Sequence, residues 1–265
     1  MTGGEAVDQF YRNQPLNIAH RGASYDAPEN TLAAFDLALR LGAAGIELDV
    51  RLSADGVPVV IHDATLDRTT DGRGPVSAWR WPELRSLDAG SWFDSQYARQ
   101  RIPSLEDVFA AFGERLLYVI ELKTNSLRDH RLEQAVIAII QRHGLADQVI
   151  LASFNPCALR RVRRLRPQIA VGLLISPHQP LYLRWTRLGT VMRYASRLLH
   201  HTLIDANTIA WARRYGYRLH AWTVDEPDEM MRLAALGVDA ILTNRPDVLR
   251  WALATTGRER SSRLA

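Results

Sequence analysis

Short apolar runs rich in valine, isoleucine and leucine recur along the chain. Between most of them, apolar residues return every three or four positions. Nine runs read as strands: Leu16–Ala19, Gly45–Val50, Pro58–His62, Leu117–Leu122, Val149–Ala152, Ala170–Ile175, Thr202–Asp205, Leu219–Val224 and Ala240–Thr243. Near-continuous apolar strands are what a parallel sheet covered by helices requires, because both strand faces are buried. The periodic stretches predict helices. Asn30 and Thr31 can cap one that runs to Leu41, with Gly42 or Gly45 near its end. Ser104 can cap Leu105–Phe112, and Glu106 and Asp107 suit its positive end. Leu132–His143, Cys157–Leu165, Ala206–Tyr215 and Pro227–Leu236 follow, the last stopped by Gly237. Such alternation predicts an α/β fold, either a closed barrel or a doubly wound sheet.

Three places break the rhythm. Nine strands are one more than a barrel needs, and Arg51–Gly56 is too short to hold a helix between its flanking strands. Either that unit lacks its helix, or ADG is a hairpin turn and one strand runs antiparallel. Asp63–Arg101 is long, turn-rich and aromatic, with Trp79, Trp81, Trp92 and Phe93, and reads as a functional loop or small insertion over a site. In Ser176–His201, Leu181, Trp185, Leu188, Met192, Ala195 and Leu199 recur at helical spacing, with Arg184, Arg187, Arg193 and Arg197 off the stripe. That pattern suits a barrel helix with an apolar inner face. Its sharper reading is an interfacial helix making peripheral membrane contact through 181–199.

Composition narrows the function classes. The 265 residues fit one domain spanning 1–265, and 47% hydrophobic content supplies a sizeable core. The formal charge of +4 and pI near 9.5 come from arginines spread along the chain among acids, so nucleic acid is not an expected partner. Cys157 is the only cysteine, which excludes an internal disulfide and a cysteine-rich metal site. The N-terminal stretch has no apolar segment of signal-peptide length, and no run is long enough to cross a bilayer. A cytoplasmic protein is expected; oligomeric state is not legible. Lys123 is the only lysine, a compact charge kept where every other cationic chain is arginine.

The suspicious polar residues share one position, the C-terminal end of an apolar run. His20 and Arg21 follow LNIA, Glu47 and Asp49 close GIELDV, His62 and Asp63 close VPVVI, and Glu121 and Lys123 close LYVIELK. In a barrel such ends form one face, where groups distant in sequence converge. A charged group ending a buried strand costs desolvation unless paired or bound to metal. Because side chains alternate along a strand, Glu47 and Asp49 share a side, as do Glu121 and Lys123. Three carboxylates there offer hard oxygen ligands for one divalent cation, Mg2+ or Ca2+ rather than zinc, with Mn2+ also acceptable. His20 and His62 could act as general base and general acid, and Arg21 and Lys123 could hold phosphate oxygens. Ser153 and Phe154 close a strand at the same face. His130, His143, His178, His200 and His201 read as surface residues, His220 as packing and Cys157 as structural.

The run AHRGA with PENT, then ELDVRLSADGVPVVIHD, TLDRTT, LDAGSWF, PSLEDVF, IELK, SF, AWTVD and ILTNRPD, resembles the glycerophosphodiester phosphodiesterase family over roughly residues 17–248. The resemblance implies a (β/α)8 TIM barrel, somewhat irregular, with a small insertion after the third strand. It implies hydrolysis of a small-molecule glycerophosphodiester to sn-glycerol 3-phosphate and an alcohol, with one divalent cation. Carried over, His20 and His62 are the acid/base pair, Glu47, Asp49 and Glu121 the metal ligands, and Arg21 and Lys123 the phosphate contacts. Trp222 would line the glycerol side of the pocket, with Phe154 as a further substrate contact. Lysophospholipase D-type hydrolysis of membrane-bound lysolipids is the alternative, and a catalytically silent binding module a third. Asn244 stands where the family often has aspartate.

Overall fold

The computed structural model describes residue 11 and residues 15–124, 129–179 and 194–263, with 256–263 as backbone only. In chain order its strands are β1 (Leu16–His20), β2 (Gly45–Leu52), β3 (Pro58–Val60), β4 (Leu117–Leu122), β5 (Val149–Ser153), β6 (Ala170–Ile175), β7 (Ser196–His200), β8 (Arg218–Trp222) and β9 (Ala240–Thr243). All but β3 are parallel, and β1 pairs with both β2 and β9, closing an eight-stranded barrel. The helices of the barrel are α1 (Leu32–Arg40), α2 (Leu105–Phe112), α3 (Arg131–His143), α4 (Pro156–Leu165), α5 (Ala206–Tyr215), α6 (Pro227–Leu236) and α7 (Pro246–Arg263), and a single helical turn, Trp81–Leu84, lies between β3 and α2. This is the TIM barrel that the strand and helix alternation allowed.

Strand alternation sorts the core into two layers. Leu16, Ile18, Val119, Ile150, Ala152, Leu174, Leu198, Ala240 and Leu242 pack together inside the barrel. Residues of the opposite strand face, such as Ile46, Leu48, Val50, Tyr118 and Ile120, join the helices in the outer core. Local chemistry sets the helix ends. Ser104 and Asp107 form a reciprocal capping box on α2, and Gly237 takes a left-handed conformation at the end of α6. Thr31 caps α1 by accepting the Ala34 N–H. Asn30, the other expected cap, is engaged elsewhere.

The supernumerary strand is the antiparallel one. β3 lies against β2 with Val60 opposite Val50 and Pro58 opposite Leu52. Gly56 turns at φ +83 and donates its N–H to the Ser53 carbonyl, so ADG is a hairpin turn. The segment beyond β3 has its own apolar cluster, in which Ile61, Leu66, Val76, Leu84 and Ile102 gather on Val59. Tyr97 donates its hydroxyl to the Asp26 carbonyl, and Gln100 accepts the Ala33 N–H, which fastens this insertion to the barrel rim.

The seventh strand is not where the pattern put it. Thr202–Asp205 falls on a 3-10 turn (His201–Leu203) and the cap of α5, while Ser196–His200 forms the barrel wall. Leu199, read as part of a helical stripe, is a β7 residue packed in the outer core, and Ala195 immediately precedes the strand. Leu181, Trp185, Leu188 and Met192 lie outside the described residues. The C-terminal part of the expected membrane-contacting segment is therefore buried barrel wall. Among the described residues no helix is long and apolar enough to cross a membrane.

Candidate functional site

The inward parity that fills the lumen with aliphatic side chains turns polar in the uppermost layer. Register pairs His20 with Glu47 and Asp49 with Glu121, so β1, β2 and β4 deliver a histidine and three carboxylates to one patch. One ligand oxygen from each of Glu47, Asp49 and Glu121 lies within 4.8 Å of the others, and all three residues are buried. Lys123, one step past β4, reaches Asp49 at 3.0 Å and Glu121 at 2.8 Å. Arg21 follows β1 with φ +56; its Nε lies 3.3 Å from Asp49 and its Nη1 donates to Glu29 at 3.0 Å. That turn needs Gly22, at φ +85, because a Cβ there would sit 2.7 Å from Ala34 of α1.

His62 arrives by the antiparallel of the two routes that the sequence left open. It does not end a parallel strand. β2 runs past its pairing with β4 by Arg51 and Leu52, and β3 returns antiparallel, with Ile61 N–H donating to the Asp49 carbonyl. His62 thus enters the mouth from above, its Nδ1 2.6 Å from Asp63 Oδ1. His20 Nδ1 is 2.8 Å from Asn244 Oδ1, and its Nε2 faces Glu47 at 3.9 Å. Asn244 is itself fixed, donating both its backbone N–H and its Nδ2 to Asp225. An amide oxygen only accepts, so His20 carries its proton on Nδ1 and presents a bare Nε2 to the carboxylates.

Electrostatics distinguish the three carboxylates. Burial pushes Glu47 well above the usual range, reinforced by Asp49 and Glu121. Burial also raises Glu121, to about 7, against the pull of Lys123. Asp49 is buried too, but Lys123, Arg21 and the Asn30 amide outweigh that and hold it below its ordinary value. Glu47 has no lysine or arginine side-chain ion pair among the described residues, and Arg21 and Lys123 only partly offset the cost of its charge, so the cluster is short of positive charge at Glu47. A divalent cation fits that deficit, and three hard oxygen donors suit it. His20 is lowered to about 4, by burial and by Arg21, so its ring is neutral near pH 7. Burial also lowers His62, while Asp49 and Asp63 favour its protonated form.

A cavity of about 320 Å³ adjoins the cluster, lined by Arg51, Glu121, Lys123, Ser153 and Phe154. Phe154 meets Trp222 edge to face at 5.7 Å, and Trp222 donates its indole N–H to the Leu198 carbonyl. Trp222 also meets His200 edge to face at 5.3 Å. His200 is thus a strand-end residue of the mouth and half-buried, where a surface position was expected. His130 and His178 are exposed, and His143 and His201 are half-buried against Glu106 and Glu229. Every expected site residue therefore lies at the barrel mouth. Asn30, Glu29, Asp225 and Asn244 were not anticipated there. Glu29 and Asn30 lie in the PENT stretch and Asp225 in AWTVD, while Asn244 closes the apolar run ILT as the other site residues close theirs.

Comparison with known proteins places this geometry. The model of the Glycerophosphoryl diester phosphodiesterase family matches residues 20–248. The chain is 39% identical over 235 residues to a glycerophosphodiester phosphodiesterase of Caldanaerobacter subterraneus subsp. tengcongensis, covering 88% of this chain and 96% of that protein. A Bacillus subtilis glycerophosphodiester phosphodiesterase is 34% identical over 248 residues, with 88% and 84% covered. Among solved structures, an Oleispira antarctica phosphodiesterase in complex with the product sn-glycerol-3-phosphate superposes with a TM-score of 0.86. It is 32% identical and covers 94% of this chain and 99% of its own.

Proposed function

This chain belongs to the glycerophosphoryl diester phosphodiesterase family, and on that premise we propose that it hydrolyses glycerophosphodiesters to sn-glycerol 3-phosphate and an alcohol. The observation that carries the reading is the convergence of Glu47, Asp49, Glu121, Lys123, Arg21, His20 and His62 on one barrel face. The product bound by the Oleispira antarctica relative supports the glycerol phosphate half of the substrate.

Glu47, Asp49 and Glu121 would hold one divalent cation, which when bound polarises a phosphoryl oxygen and offsets negative charge. The chain's own groups do the rest. Arg21 and Lys123 contact the non-bridging phosphate oxygens and stabilise charge that grows in the transition state. The bare Nε2 of His20 accepts the proton of the substrate's free glycerol hydroxyl as that oxygen attacks phosphorus. His62, whose protonated form Asp63 stabilises, delivers a proton to the departing alkoxide. The phosphorus–alcohol bond breaks, a cyclic phosphate forms, and water opens it with the two roles reversed. Phe154 and Trp222 wall the side on which the organic parts of the substrate lie.

The test is release of glycerol 3-phosphate by purified protein across a panel of water-soluble glycerophosphodiesters and vesicle-bound lysophospholipids. The soluble diesters should turn over, chelator should abolish the activity, and Mg2+, Mn2+ or Ca2+ should restore it. Indifference to chelator removes the cation from this reading, and turnover of lysolipid vesicles alone replaces the substrate.

A further inference from the structure

Asp63 and Glu29 stand beside the reacting groups without touching the carboxylate cluster. Each holds one member of the site: Asp63 Oδ1 is 2.6 Å from His62 Nδ1, and Glu29 Oε1 accepts from Arg21 Nη1 at 3.0 Å. The two carboxylates come from two separate segments beside neighbouring strands, Asp63 from the end of the β2–β3 hairpin and Glu29 from the turn before α1. A single guanidinium joins them. Arg68, in the TLDRTT stretch of the insertion, gives Nε to Asp63 Oδ2 at 2.7 Å and Nη2 to Asp63 Oδ1 at 3.2 Å. It gives Nη1 to Glu29 Oε2 at 2.8 Å and Nη2 to Glu29 Oε1 at 2.9 Å. Four hydrogen bonds on two carboxylates are made at once, more than the three donors of an ammonium could supply.

We propose that Arg68 is a positioning residue for the reaction, orienting His62 through Asp63 and Arg21 through Glu29, so that the insertion and the barrel rim share one geometry. Isolated ion pairs at half-exposed sites contribute little to stability, and the expected effect of Arg68 is on alignment. Asp63 fixes which His62 nitrogen carries a proton, and Glu29 fixes where Arg21 points despite its left-handed backbone. Releasing the shared fork loosens both. The inference rests on the acid/base and phosphate roles proposed above for His62 and Arg21.

The experiment compares the full chain with Arg68→Ala, Arg68→Lys, Asp63→Asn and Glu29→Gln, using glycerophosphocholine hydrolysis and 15N spectra of histidine-labelled protein. Arg68→Ala should lower kcat by about 10–100-fold, the range typical for partners that orient active-site ligands, and should also raise KM. Asp63→Asn should reproduce mainly the kcat loss and Glu29→Gln mainly the KM rise. Arg68→Lys, which keeps the charge, should not rescue. In Arg68→Ala the His62 ring should move from a fixed Nδ1–H form towards a mixture of tautomers, a change that mere fastening of the loop would not produce. Wild-type kcat, KM and His62 spectrum in both Arg68 variants would overturn the proposal. Full turnover in His62→Ala would overturn the acid/base role instead, and the spectrum of Arg68→Ala would still report on positioning.

Discussion

Two histidines face the interior of this barrel from nearby strands, His20 at the mouth and His220 near the floor, and burial leaves both neutral at pH 7. Their pKa values are lowered to about 4 and about 3. Their surroundings differ in kind. His20 has Asn244 on one nitrogen and faces Glu47 with the other, in a layer that also holds Arg21 and Asp49. His220 is hydrogen-bonded through Nε2 to the Tyr11 hydroxyl, and its Nδ1 has no hydrogen-bond partner among the described residues. Burial alone accounts for its lowered pKa, with no charged neighbour contributing. A depressed pKa therefore does not mark a reactive residue. What separates the two rings is the company of opposite charges around an open nitrogen, which only the mouth provides.

The comparison breaks first on activity. His20→Ala and His62→Ala should each reduce kcat by roughly 10^2–10^4-fold, the usual contribution of a general acid or base, while the circular dichroism spectrum stays native. Substantial turnover in either variant would erase the distinction between mouth and floor. A smaller effect is expected from Asn244→Ala, which leaves His20 in place but frees its ring to rotate. The loss should be about 10–100-fold in kcat with little change in KM. A wild-type kcat in Asn244→Ala would show that the ring is held well enough by packing.

How far this site could be read in the sequence follows from the same contrast. Glu47, Asp49, Glu121 and Lys123 were legible because a charge closing a buried apolar strand is costly and asks for a reason. Strand parity then placed them together without any structure. His62 was legible as a residue but not in its route, since an antiparallel hairpin and a parallel strand end look alike in a short run. β7 was hidden by Arg197, a strand residue only 2% exposed whose guanidinium lies among the rings of Tyr194, Trp211 and Tyr217. An arginine in a strand reads as surface, and nothing local announces three aromatic partners. Asp225 and Asn244 serve His20 across more than 200 residues, and Arg68, which also holds Asp63, reaches Glu29 across 39. Such roles depend on which ends the closed barrel brings together, and a periodicity carries no record of that.

The floor is sharpened by Tyr11→Phe, the change with the smallest expected effect on turnover. Tyr11 is buried and packs edge to face on His220, with Arg218 over its ring. Removing the hydroxyl keeps the ring and its packing but leaves His220 Nε2 without its partner. An unsatisfied buried polar atom costs about 1–3 kcal/mol, so Tm should fall by a few degrees in a chain of this size. The kcat and KM for a glycerophosphodiester should stay at wild-type values, because the interior aliphatic layer of Ile18, Val119, Ala152 and Leu242 stands between floor and mouth. A loss of kcat with unchanged Tm would mean that the floor communicates with the reaction centre. Burial, and not the neighbouring charges, would then be the property the two histidines share in function.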